Sequence, residues 1–176
     1  FDREVPLLPV FVWFYILAFP FWAVGYLLAA RRGKDMFYRF VATDLTIHFI
    51  CFICFILIPT TNIRPEIPGN TLSEKILALV YSLDGGNSPS NLFPSIHCYV
   101  SWMCWKGVEG SEKVPKWYQR FSLVFAILII ISTQVLKQHY IVDAAAALLL
   151  VEFFWRFYQK GQRHKWVVHV FAHKKK

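Results

Sequence analysis

Apolar runs nearly as long as a bilayer is thick recur along this chain, and they leave few folds open to it. A helix crosses the hydrocarbon core with roughly 20 apolar residues, and inside lipid only helices and closed barrels satisfy their own backbone. The runs at 9–30, 37–57, 94–108, 118–136 and 140–158 have helical rather than strand-like lengths. With 56% hydrophobic residues and a positive mean hydropathy, a soluble domain is a poor description. The expected fold is all-α: one polytopic transmembrane domain over 1–176, a helix bundle with five spans. The third run is short and opens on polar residues, so it alone could be a re-entrant helix.

A formal charge of +8 raises nucleic acid as a partner, but the basic residues are segregated by loop. Arg31, Arg32, Lys34 and Arg39 follow the first run, Lys106, Lys113, Lys116 and Arg120 follow the third, and a basic tail occupies about 159–176. The alternate loops carry only Arg3, Arg64, Lys75 and Lys137. The positive-inside rule then assigns the tail to the cytoplasm, and the loop at about 59–93 and the turn around Gln138 to the outer face. Membrane lipid, not nucleic acid, is the expected partner. Nothing in the sequence sets an oligomeric state. The chain starts at Phe1 without a signal-peptide pattern in 1–9, and five spans with an inward tail would leave that start outside. A further span before Phe1, making six, is therefore expected.

The outer loop is dense in turn formers at both ends and holds a short helix at about 72–83. Thr71 and Glu74 are spaced as a capping box, and Leu72, Ile76, Leu79, Val80 and Leu83 recur at helical intervals. This amphipathic helix lies on the membrane surface, roofs a site, or simply packs on the bundle. Cys51 and Cys54 stand among Phe and Ile inside a run and read as small packing residues. His164 stands in the basic tail, where His169 and His173 have the spacing of a ligand pair but lack further ligands. Asp44 and His48, four apart within the second run, read as a buried polar pair.

Ionisable groups at a span boundary need an explanation, and three sets stand out. His139 and Asp143 share one face at the start of the last run, so the carboxylate can fix one ring nitrogen and leave the other as a nucleophile. Pro94-Ser95-Ile96-His97 opens the third run: Ser95 is a candidate N-cap, the first free amides form an anion site, and His97 can serve as acid and base. Arg64, followed by Pro65, offers a fork of donors matched to phosphate oxygens, and Lys137 adds a second positive charge. These charges could offset a phosphoryl transition state, so no metal and no cofactor is invoked.

Taken in order, these residues resemble the type-2 phosphatidic acid phosphatase superfamily of membrane lipid phosphatases and phosphotransferases, whose motifs run K-x6-R-P, P-S-G-H and S-R-x5-H-x3-D. Arg64-Pro65, Pro94 through His97, and Ser132 through His139 to Asp143 match in order and spacing. The resemblance implies a six-helix bundle, with His139 as a phosphohistidine-forming nucleophile, Asp143 as its orienting partner and His97 as acid and base. It further implies a phosphate cradle that maps onto Arg64, Ser95, Ile96 and Ser132. Three positions depart: Leu57, Ile96 and Thr133 stand where the motifs have lysine, glycine and arginine. Lys137 can restore some of that charge, and Lys137-Gln138-His139-Tyr140 with Asp143 is similar to the inositol phosphorylceramide and sphingomyelin synthase branch.

Three functional readings follow. The first is a metal-independent lipid phosphate phosphatase with a phosphorylated lipid as substrate and an extracytoplasmic site. The second is a phosphotransferase that moves a phospho-headgroup to a lipid hydroxyl. The third is a non-enzymatic transporter or structural membrane protein, for which Asp44 and His48 are the best support.

Overall fold

The computed structural model describes residues 2, 4–86 and 89–172; His173 and the terminal lysines lie outside the described residues. Among these are seven α-helices: α1 (Val12–Ala30), α2 (Lys34–Leu57), α3 (Leu72–Leu83), α4 (Ile96–Val108), α5 (Lys116–Val135), α6 (Ile141–Gln159) and α7 (Lys165–Ala172). A single 3-10 turn, Pro9–Phe11, leads into α1.

Among the described residues three helices are both long and apolar enough to cross a membrane: α1 with its leading turn, α2 and α5. The other two expected spans differ for identifiable reasons. Helix α4 has 13 residues, about 20 Å at ~1.5 Å per residue, short of a core of about 30 Å. Helix α6 has 19 residues but carries Asp143, Glu152 and Arg156. Both lean on bundle neighbours: α4 packs on α5, α1, α6 and α2, and α6 packs on α2 and α4 along one face. Bundle neighbours replace lipid around Glu152 and Lys106. Trp102 donates to Glu152 at 2.9 Å, and Lys106, only 8% exposed, lies 3.2 Å from Glu152 and 3.0 Å from Glu109.

Helix α4 packs closely on both α1 and α2. A Cβ on Gly25 would sit 2.6 Å from Cys104 Sγ, and one on Gly107 would sit 2.9 Å from the Phe40 ring. Small residues let these backbones approach, as is usual between helices in lipid. The outward faces stay apolar, with Leu17 and Leu27 on α1, Phe49 and Ile56 on α2, Val124 on α5 and Leu149 and Phe153 on α6 all exposed. On a water-soluble protein so large an apolar surface would be a liability; on a membrane bundle it is the lipid contact.

Asp44 and His48 do not form the expected pair. The Tyr26 hydroxyl on α1 donates to Asp44 at 2.6 Å, and His48 Nδ1 shares a 2.6 Å hydrogen bond with the Tyr99 hydroxyl on α4. Each of these two side chains is thus satisfied by a tyrosine from a neighbouring helix. The tail also differs from a solvated run. After a turn at 160–164 it folds into α7, whose Val167 is buried with Ala42 and Tyr158, while the buried His164 bonds Asp35 at 2.8 Å. Cys51 and Cys54 carry free thiols.

The two ends of the bundle are distinct. At one end Arg32 donates to the carbonyls of Lys106 and Gly107, and Arg39 donates to those of Tyr158 and Gln159, so arginines satisfy the carbonyl ends of α4 and α6. At the other end Leu8 donates to the Val135 carbonyl, Asn62 to that of Lys137, and Ser95 to that of Asp143. The loop after α2 is laid across this second end. Helix α3 starts at a capping box in which Thr71 accepts from Glu74 and Glu74 accepts from Thr71. It buries Leu77 and Tyr81 against Val12, Tyr15 and Leu136 and leaves Leu72, Leu79 and Leu83 exposed.

Candidate active site

The turn between α5 and α6 aims His139. Lys137 adopts a left-handed φ of 53°, its amide bonds to Gln134, and the next amide, Gln138, reaches back to the Thr133 carbonyl at 2.9 Å. This is a Schellman ending, with lysine in the place usually taken by glycine. The His139 amide adds a second bond to Thr133 at 3.1 Å. The catalytic candidate is therefore fixed to the end of α5 before α6 begins.

The His139 ring is oriented mainly by a backbone carbonyl. Nδ1 lies 3.0 Å from the Leu92 carbonyl and 3.5 Å from Asp143 Oδ2. Since a carbonyl only accepts, the Nδ1 hydrogen is on His139, and Nε2 keeps its lone pair. No protein hydrogen bond engages Nε2 among the described residues. Leu92 is itself held, because the Thr60 hydroxyl accepts from the amides of Leu92 and Phe93 at 3.0 Å each. Asp143 is 2% exposed and spends its shorter bond, 2.8 Å, on the Tyr140 amide. The expected His139–Asp143 contact exists, but as the longer of two contacts at that nitrogen.

His97 lies across from it, the two rings 6.1 Å apart. Helix α1 surrounds His97 with aromatic groups: Tyr15 stacks on it at 4.4 Å, Trp22 sits at 5.1 Å and Phe19 at 6.1 Å. His97 Nε2 is buried without a protein partner. Both histidines, with Ile96, Asp84, Gln138 and the three aromatic groups, line a cavity of about 270 Å³. A second cavity of about 460 Å³ touches His139 from another side and is lined by Asn62, Arg64, Lys137 and Tyr140.

The phosphate candidates divide. Ser95 is the N-cap of α4, its hydroxyl accepting from Cys98 at 3.3 Å, and it is fully buried. Ser132 is also buried and returns its hydroxyl to Ile129 at 2.6 Å, so it is not brought to either cavity. Lys137 Nζ donates to the carbonyls of Asp2 and Val5, which leaves its charge without an acidic partner among the described residues. Arg64 is 3% exposed and stacks over Tyr81 at 4.7 Å. It donates to the carbonyls of Asp84 and Gly86 and to the side chains of Asp84 and Gln138. Burial pushes the Tyr81 hydroxyl up to about 12, with Arg64 opposing. That hydroxyl therefore stays protonated and donates to Leu136 at 2.7 Å.

Several of these groups carry no sequence signature. Leu92 acts through its carbonyl, Thr60 through a contact made 32 residues away, and Tyr15 and Trp22 look like ordinary span residues. Gln138 had one available signal, a polar side chain beside the candidate nucleophile. Among the described residues no group of three His, Cys, Asp or Glu side chains is placed to hold a metal ion.

The sequence model of the PAP2 superfamily matches residues 1–156, and the chain belongs to that family. No curated protein and no solved structure matches it. Membership, together with three apolar helices of spanning length, gives the chain a membrane phosphatase-type function, in the broad sense of phosphatase or phosphotransferase.

Proposed function

We propose that this PAP2-superfamily chain is a lipid phosphate phosphatase that works through a phosphohistidine at His139. The observation that carries the reading is the histidine pair: Nδ1 of His139 is engaged by Leu92, and His97 faces it across a cavity with rings 6.1 Å apart. His139 Nε2 attacks phosphorus while the bond to the lipid oxygen breaks, and His97, whose burial among aromatic rings disfavours the cation until the anionic phosphate stands beside it, then gives that oxygen its proton. Water then attacks the phosphohistidine, His97 takes the proton back, and orthophosphate leaves with His139 restored. Little covalent work falls to the protein beyond positioning and charge, which Arg64, Lys137 and the first amides of α4 supply.

The substrate class follows from the surroundings. The cavity opens at one end of an apolar bundle, and the basic residues gather at the other, which by the positive-inside rule faces the cytoplasm. The site then faces outward at headgroup depth. Purified protein in detergent should release orthophosphate from phosphatidic acid or a polyprenyl phosphate, should continue in chelator, and should lose activity on the order of a thousandfold or more in His139→Ala. Full activity in that variant would sink the proposal.

One observation favours a second reading. His139 borders two separate cavities, so a donor and a lipid alcohol could approach it from different sides. A labelled phosphodiester donor incubated with candidate lipid alcohols decides: label confined to water-soluble phosphate rejects a headgroup phosphotransferase.

A further inference from the structure

Arg64 has a side chain fully removed from solvent, yet the carboxylate that neutralises it, Asp84, is 56% exposed. The two terminal nitrogens of this guanidinium have different surroundings. Nη1 faces backbone, donating to the Asp84 carbonyl at 2.9 Å and the Gly86 carbonyl at 3.0 Å. These carbonyls are presented by the end of α3, where Gly85 and Gly86 are left-handed and the Gly86 amide closes on Tyr81. Nη1 is thereby committed to architecture.

Nη2 faces chemistry instead. Its partners are Asp84 Oδ2 at 2.5 Å and the Gln138 amide oxygen, and both residues line the cavity that holds His97 and His139. Gln138 is 1% exposed, and its Nε2 is buried with no protein partner among the described residues. A buried amide donor left unpaired is costly and marks a place where an acceptor is missing. An anionic oxygen already sits on Nη2, and an unused donor lies beside it.

We propose that Asp84 is a displaceable stand-in for the substrate's phosphate. In the empty site its carboxylate occupies Arg64 Nη2. An incoming phosphate oxygen takes that position, gains Gln138 Nε2 as a further donor, and releases Asp84 to solvent. Asp84 is the partner that moves because it is exposed, whereas Arg64 and Gln138 are buried. The exchange keeps a buried guanidinium from standing unpaired, which would be strongly destabilising. It also weakens retention of any phosphate by the fraction of sites that Asp84 holds closed, so the return of the carboxylate helps expel product. This inference rests on the phosphoryl-transfer reading of the site.

The test is orthophosphate binding to the full chain in detergent micelles, measured by calorimetry without turnover, with melting temperatures taken alongside. Asp84→Asn should bind orthophosphate more tightly, on the order of fivefold, as expected for losing a half-exposed competing ion pair. Asp84→Ala should shift in the same direction, and Arg64→Ala should lose binding. Unchanged or weaker binding in both Asp84 variants would mean that Asp84 merely positions Arg64 and would overturn the proposal, as would absence of orthophosphate binding in every variant. Turnover by the unaltered chain and its loss in His139→Ala do not depend on Asp84, so the two readings fail separately.

Discussion

At the scale of single residues, the division of labour between the two histidines makes a chemical prediction. On the proposed mechanism His97 serves the leaving oxygen, so its value depends on how badly that oxygen needs a proton. His97→Ala should slow release from an alkyl lipid phosphate by roughly 10²–10⁴-fold. An aryl phosphate, whose leaving group departs without a proton, should recover most of that loss; equal damage to both substrates would deny His97 the acid role. His139, His97 and Asp143 stand out in the sequence as candidates because ionisable groups at span boundaries must be explained. The Leu92 carbonyl was not, since any residue supplies one, and only the fold brings it 3.0 Å from Nδ1. Ser132 illustrates the converse: its motif position matches, but its hydroxyl turns back onto its own helix at Ile129.

Elements were readable where local chemistry punctuates them. The Thr71–Glu74 box marks the start of α3, and Ser95 marks that of α4. Helix α7 escaped because its eight residues sit in a basic stretch, and its burial comes from Val167 meeting α2 and the end of α6. The pairing of α2 failed for a related reason: four-residue spacing brings Asp44 and His48 to one face, but tyrosines of α1 and α4 reach them first. Packing between α1 and α4 carries a stability prediction. Gly25→Val places a Cβ 2.6 Å from Cys104 Sγ, so the helices must separate. A loss of about 1–3 kcal/mol is expected, read as a lower melting temperature in detergent. Restoration by the added change Cys104→Gly would tie the loss to this contact, and an unchanged melting temperature would refute it.

Across the whole molecule, the bundle separates an arginine-capped basic end from an end where the loop after α2, the start of α4 and the α5–α6 turn converge. Hydropathy anticipates that plan, but two of five expected spans depend on neighbours rather than on their own composition. Helix α4 is short and central, and α6 keeps its charges because α4 answers Glu152. The same convergence gives the central claim its sharpest form, because Leu92 and the nearby Asp143 engage Nδ1 of His139, so that on the proposed mechanism Nε2 is the atom that attacks phosphorus. Rapid acid-free quenching of the chain with a labelled lipid phosphate, followed by peptide mapping and ³¹P NMR of the trapped histidine, tests it directly. Label on Nε2 of His139 is the predicted result, and label on Nδ1, on another residue, or none during full turnover would contradict it.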